Sequence, residues 1–311
     1  MKFHLEGTKK HNKKTGINKM ILGTGCILIT ILVTGILIRK QILRLKDPVF
    51  LRNCSEVYIM DNENSNSFHQ YLTIQYITNS DDQRKICNIE FTDMPQLRCS
   101  LTTSPYILAN SHFYTDNVDP ILGDYQLHSI QLQFHLKNYE PLDYEVKLPT
   151  ATINYDDGTK QNVDLGTIVL VPWARRENIE LFEWLKSWGK KRDQEMEYYC
   201  TLPNDFSLQR IDSILGDAVY DNVSFHFGHY RDIPWNQPLN DQITMDFDQT
   251  LSIEVNFNNS DYDYYCLRPE ITAKYHDKEE TSLIDTAEFH IPLNNYRQIL
   301  NYLKKRGAIH G

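Results

Sequence analysis

A mainly β chain behind one membrane-spanning helix is the fold class this 311-residue sequence predicts, on three observations. Residues 20–38 hold no charge. After them come short alternating strands separated by turn residues, with little helical pattern. The segment 149–172 then recurs at 269–292, 120 positions further on. The expected architecture is an N-terminal transmembrane helix followed by two tandem, duplicated β-sandwich domains of immunoglobulin-like size, each ending in a short helix. In residue numbers this gives a basic tail at 1–19, a span at 20–38, a first sandwich at 48–175, a linker helix at 176–197 and a second sandwich at 198–311.

The span comes first. Nineteen uncharged residues, at 1.5 Å per residue, cover roughly the 30 Å hydrocarbon core of a bilayer. A secretory signal has a shorter apolar region of about 7–15 residues and a small-residue cleavage site. Here the run ends directly in Arg39 and Lys40. Cys26 is not a lipidation site either, because Gly23-Thr24-Gly25 before it lacks the expected apolar residue. The sequence therefore predicts an uncleaved anchor. Lys2, Lys9, Lys10, Lys13, Lys14 and Lys19 precede it, against Arg39, Lys40, Arg44 and Lys46 behind it. That balance favours a cytoplasmic amino terminus and extracellular C-terminal domains. Cys26, Thr30 and Thr34 recur every four residues, a spacing that lets a second helix approach in the membrane. The same threonines also suit back-bonding to their own preceding turn.

Charge is unevenly placed. Residues 1–46 hold ten of the 32 bases and one of the 41 acids, which leaves 22 and 40 for residues 47–311, a balance of −18. So acidic a region repels phosphate backbones, which excludes nucleic acid as a partner. The membrane, through the single span, and another membrane or envelope protein are the partners expected. Of six cysteines, five lie beyond the span. Cys200 with Cys266 and Cys87 with Cys99 are the candidate disulfides, leaving Cys54 free or paired between chains, while reduced, buried thiols are the alternative.

The repeat organises the rest. Both prolines, Thr152 and Thr272, Tyr155 and Tyr275, and Asp157 and Asp277 coincide without a gap. Upstream, SIQLQF (from Ser129) faces SIEVNF (from Ser252), and downstream NIELFEWLKSWGKK faces the weaker QILNYLKKRG. Ile130, Leu132, Phe134 and Leu136 alternate with Gln131, Gln133 and His135, as Leu251, Ile253, Val255 and Phe257 alternate with polar residues in the second copy. Asp157-Gly158 predicts a hairpin turn. QYLTIQYIT and KICNIEF add short strands. Between the copies, Ile179, Leu181, Phe182, Leu185 and Trp188 make an apolar stripe that predicts a helix over 175–197, packed on a core.

The stretch 155–172, YDDGTKQNVDLGTIVLVP, resembles a segment of uncharacterised, single-pass membrane-anchored extracellular β-sandwich proteins of Gram-positive bacteria. The shared features are Tyr155, the turn at Asp157-Gly158, the strand after Gly166 and the closing Pro172. The resemblance implies location and fold and brings no activity with it. In the second copy Lys278 stands in place of the turn glycine and Thr286 in place of Gly166.

No nucleophile elbow, zinc-protease helix, phosphate-binding loop or dinucleotide fingerprint occurs. His226 and His229 fall on a strand-like stretch, whose alternation puts them on opposite faces, so they read as structural. Asp61 and Glu63, and Asp261 and Asp263, gather calcium-type oxygens without the spacing of a calcium-binding loop, and solvated turns are the simpler reading. Trp173, Trp184, Trp188 and Trp235 could stack on sugars, but three of them fall in or next to the linker segment. The function expected is a non-enzymatic, membrane-anchored extracellular binding or scaffold module, an accessory subunit of a cell-envelope complex. The alternatives are an envelope hydrolase using Asp261, Asp263 or Glu270, a carbohydrate-binding protein, and a single-pass sensor signalling through its basic tail.

Overall fold

A computed structural model describes residues 12–59, 71–102, 120–136, 142–172, 190–192, 195–200, 207–227, 231–233, 243–244, 249–257, 260–275, 278–283 and 287–309. The described part of the chain is mainly β, about half of it in strands arranged in several sheets. Helix α1 (Asn12–Ile42) precedes every strand. The first half then carries β1 (Val49–Phe50), β2 (Asn53–Ile59), β3 (Tyr71–Asn79), β4 (Ile86–Glu90), β5 (Leu97–Thr102), β6 (Ile121–Leu122), β7 (Tyr125–Leu136), β8 (Val146–Lys147), β9 (Thr150–Tyr155), β10 (Lys160–Asp164) and β11 (Gly166–Pro172). The second half carries β12 (Lys190–Arg192), β13 (Glu195–Cys200), β14 (Ser207–Asp212), the short helix α2 (Asp217–Tyr220), β15 (Val223–Phe227), β16 (Arg231–Ile233) and β17 (Ile243–Thr244). It continues through β18 (Gln249–Val255), β19 (Tyr264–Leu267), β20 (Glu270–Tyr275), β21 (Lys278–Leu283) and β22 (Ala287–His290) to helix α3 (Tyr296–Lys305). Asn295 caps α3: its Oδ1 accepts the Gln298 amide at 3.1 Å, and the Gln298 side chain accepts the Asn294 amide at 2.8 Å. This resembles a capping box, except that Gln298 reaches back to the amide of the residue before the cap and to the Asn295 side-chain amide, at 2.9 Å.

The internal repeat reappears as strand pairing. β7 lies between β3 and β5, as β18 lies between β13 and β15. β9 lies between β4 and β10, as β20 lies between β14 and β21, and a bulge interrupts β4 against β9 and β14 against β20 alike. β11 pairs with β8, as β22 pairs with β19.

β2 has no counterpart in that scheme among the described residues. It runs parallel to β11 on one side and to β19 on the other, giving a sheet in the order β22–β19–β2–β11–β8. Every residue of β2 is buried, as expected of a parallel strand covered on both faces. One face, with Val57, Ile59, Ile168 and Leu170, joins the core of Leu72, Ile74, Phe134 and Ile153. The other, with Cys54, Tyr58, Val169 and Val171, joins the core of Leu208, Phe225, Ile253 and Phe289.

The expected sandwiches at 48–175 and 198–311 thus share a strand, β2. Asp47–Ile299 forms one compact unit, and Met1–Lys46 with Leu300–Gly311 forms the other. The two halves are joined because one strand supplies hydrogen bonds to both. The expected linker helix is corrected where it can be compared: Lys190–Arg192 and Glu195–Cys200 are strands. β13 sets Met196 opposite Ile253 and Tyr198 opposite Leu251, so pairing with β18 overrides local helix preference. The apolar stripe at 179–188 lies outside the described residues.

Among the described residues no helix is long and apolar enough to cross a membrane. Side chains of α1 are described from Ile27 onward, so Cys26 and the first part of the expected span lie outside. Thr30 and Thr34 are exposed on α1, as are its large apolar residues from Ile27 onward, from 47% at Val33 to 65% at Leu32.

Candidate functional site

The polar groups that the fold withdraws from water gather along β2. Its start is clasped from both halves. Asp263 Oδ2 accepts the Arg52 amide at 2.8 Å, the Asp263 amide returns a bond to Arg52 O at 2.8 Å, and the Arg52 guanidinium donates to Asp261 O at 3.2 Å. From the first half, Asp164 meets Arg52 Nε at 3.2 Å while accepting the Gly166 amide at 2.8 Å. The guanidinium also lies 5.4 Å from the Tyr262 ring centroid, and the Tyr262 hydroxyl meets Thr167 Oγ1 at 2.8 Å. The oxygens expected to suit calcium at Asp261 and Asp263 thus hold an arginine. Among the described residues no group of three His, Cys, Asp or Glu could hold a metal ion. Asp61 and Glu63 lie outside the described residues. Arg52→Ala is expected to cost about 1 kcal/mol, since the ion pair is half exposed and the backbone bonds survive; urea unfolding measures it.

Further along β2, Glu56 is 3% exposed on the second-half face. Its carboxyl accepts the Arg268 amide through Oε1 and the Tyr58 hydroxyl through Oε2, the latter at 3.4 Å. The Arg268 guanidinium lies 5.3 Å from the Tyr58 ring centroid. Burial pushes the Glu56 carboxyl up to about 8; the Arg268 amide and charge pull it down, and Glu270 pushes it up. A carboxyl stripped of water keeps its proton because the ion would lose its hydration. On the opposite face, Asn53 Oδ1 and Ser55 Oγ are buried without a hydrogen-bond partner.

The thiols do not form the expected bridges. Cys54, Cys87, Cys99 and Cys266 are free. Cys87 is the extra residue of the β4 bulge and is exposed, whereas Cys99 packs against the first-half core. The bulge turns one thiol out while the other points in, so Cys87 and Cys99 do not meet. Cys266 is buried within β19, and the side chain of Cys200 is not among those described. Cys54 is fully buried, which removes it as a link between chains. Burial pushes the Cys54 and Cys266 thiols well up and Cys99 up to about 12. None of the three is a thiolate nucleophile at neutral pH.

The segment 155–172 has a structural role in this geometry. Tyr155 donates to Gln161 Oε1 at 2.7 Å, and Gln161 Nε2 donates to Pro48 O at 2.9 Å, which ties the β9–β10 hairpin to the start of the domain. Gly158 turns that hairpin with φ +83°. His226 sits on β15 as its alternation predicts, 3.6 Å from Glu254; His229 and all four tryptophans lie outside the described residues. Sequence reasoning missed the Glu56–Arg268 pairing. A lone Glu in NCSEVYI was the available signal, and 212 positions separate the partners.

No protein-family model and no curated protein matches the chain. Among solved structures it is similar to the YadV chaperone, at 9% identity over 78% of this chain and 100% of that one, with a TM-score of 0.22. It is also similar to a protein of unknown function from Porphyromonas gingivalis W83, at 11% identity over 71% of this chain and 91% of that one, with a TM-score of 0.18. A third, the secreted serine protease VesC from Vibrio cholerae, matches at 8% identity over 81% of this chain and 52% of that one, with a TM-score of 0.21. Likeness this loose carries no functional argument.

Proposed function

We propose that this protein is a single-pass, membrane-anchored module of the cell envelope, whose duplicated, immunoglobulin-like β-sandwich units lie outside the cell and bind another envelope protein. One observation carries the reading. From Ile27 to Ile42 the large apolar side chains of α1 are exposed on every side. A helix apolar all round finds its solvent in lipid rather than water. The uncharged run at 20–38, the six lysines before it and the resemblance at 155–172 to anchored Gram-positive proteins support the same reading. The buried polar groups along β2 brace the domain, which suits a scaffold.

Protease added to intact, wall-stripped cells is expected to remove residues 48–311 and leave a small anchor fragment. Full protection until lysis would overturn the orientation. Purification from detergent-solubilised membranes is expected to bring a stoichiometric partner; repeated recovery of the chain alone would count against a binding role.

A further inference from the structure

We propose that residues 39–46 and 300–311 form one basic collar that binds the headgroups of anionic phospholipids, a second hold on the membrane beside the span; this rests on the anchored reading above. Residues 300–311 belong to the compact unit that holds α1, Met1–Lys46 with Leu300–Gly311. Among the described residues the buried side chains of that unit are Leu43, Leu45, Tyr302, Leu303 and Ile309, whereas 27–42 are exposed throughout. The segment therefore adjoins the chain at the end of α1, not along its apolar length.

Charge is sorted along the chain in the same way. Residues 39–46 carry Arg39, Lys40, Arg44 and Lys46, and 300–311 carry Lys304, Lys305 and Arg306, with no Asp or Glu in either stretch. Of the 22 bases and 40 acids of 47–311, the other 19 bases and all 40 acids lie in 47–299. Every base of the collar but Arg306 is exposed. A Schellman end fixes the last turn of α3: the Gly307 amide donates to Lys304 O at 3.0 Å and the Ala308 amide to Leu303 O at 2.9 Å. Leu303 is thereby turned inward, while Lys304 and Lys305 face out. Arg306 is held back, its Nε donating to the Tyr302 hydroxyl at 3.3 Å. A helix dipole favours bases in each last turn. It does not account for their gathering in two stretches free of acids that meet in one unit.

Arg39 and Lys40 close the apolar run, so a helix inserted in lipid places them at headgroup level. An anionic surface attracts bases within about one Debye length, roughly 10 Å at 0.1 M salt. Bases that adjoin the end of the span feel that attraction, and each one that reaches the surface strengthens binding about fivefold. An acidic protein surface would suit the same charges, but only lipid is set beside Arg39 and Lys40 by the anchor itself.

The test places the full chain in nanodiscs of phosphatidylcholine, alone or with about one-third phosphatidylglycerol, and follows lysine acylation by mass spectrometry. Anionic lipid is expected to slow acylation of Lys304 and Lys305 by about fivefold or more. High salt is expected to remove that protection, and the exposed Lys160 to react alike in both discs. Hydrogen exchange of the 300–309 amides is expected to slow in the anionic discs. Lys304→Gln/Lys305→Gln, at exposed positions, is expected to abolish that slowing. Incorporation into both discs with equal acylation overturns the collar and leaves the anchor standing: equal and fast means that lipid does not hold these lysines, equal and slow that a protein surface covers them. Slowing retained in the variant, or Lys160 protected to the same degree, also overturns it. Failure to incorporate into either disc overturns the anchored reading and this inference with it.

Discussion

Gly166→Ala is expected to leave the β domain largely unfolded. The backbone there has φ +88°, and a Cβ would stand 2.3 Å from the carbonyl oxygen of Asn53 and 2.9 Å from its nitrogen. Both obstacles are main-chain atoms of β2, which is pinned by the Asn53 amide donating to Leu165 O at 2.7 Å and by ladders on both sides. The left-handed conformation alone costs an L-residue roughly 1–2 kcal/mol. Relieving the clash means parting β11 from β2 at the first rung of their ladder. A loss of about 4 kcal/mol or more is a large part of the 5–15 kcal/mol that holds a typical domain together. Gly158→Ala is the control: its φ is +83°, yet nothing lies within 4 Å of the added carbon, so only the conformational cost of about 1 kcal/mol remains. Circular dichroism and urea unfolding of both variants decide the matter. Equal losses in the two would show that the close approach to β2 carries no weight.

The same contact explains why the repeated motif is worn in the second copy. Gly166 is needed because β2 lies against β11. β22, the strand matching β11, ends its sheet in the order β22–β19–β2–β11–β8, so among the described residues it has no second neighbour corresponding to β2. Strands whose faces differ were legible in the sequence. β7 buries Leu132 and Phe134 and leaves Gln133 part-exposed, and β9 with β10 follows the turn at Asp157-Gly158. β2 was not legible. NCSEVYI has no alternation to read, because both of its faces are covered and the faces hold Cys, Glu and Tyr on one side and Asn, Ser, Val and Ile on the other. Its partners lie more than a hundred residues away along the chain, at 166–172 and 264–266. Pairing at that distance leaves no local trace. The candidate site, built on β2, was hidden for the same reason. The strands at 190–200 were hidden by an upstream helical stripe that their own alternation of Glu, Met and Tyr did not break.

Residues 198–311 produced alone are expected not to fold, although the repeat suggests a complete copy. Without β2, β19 loses the strand that pairs with Tyr264, Tyr265 and Cys266. The second core loses Cys54 and Tyr58, and with them Val169 and Val171 from β11. Burying a side chain of this size is worth about 1.5–3 kcal/mol. Three or four such losses consume most of the 5–15 kcal/mol available to a domain. The Arg268 amide and the Asp263 carboxylate would also be left without Glu56 and the Arg52 amide. Residues 47–311 retain all of these contacts and are expected to unfold cooperatively in urea. Fusing 47–59 ahead of 198–311 returns the pairing to β19 but not the β11 face, so partial recovery is expected, with dispersed amide resonances and a lower midpoint. Cooperative unfolding of 198–311 at the midpoint of 47–311 would mean that the second copy is self-sufficient and that β2 joins two domains already formed.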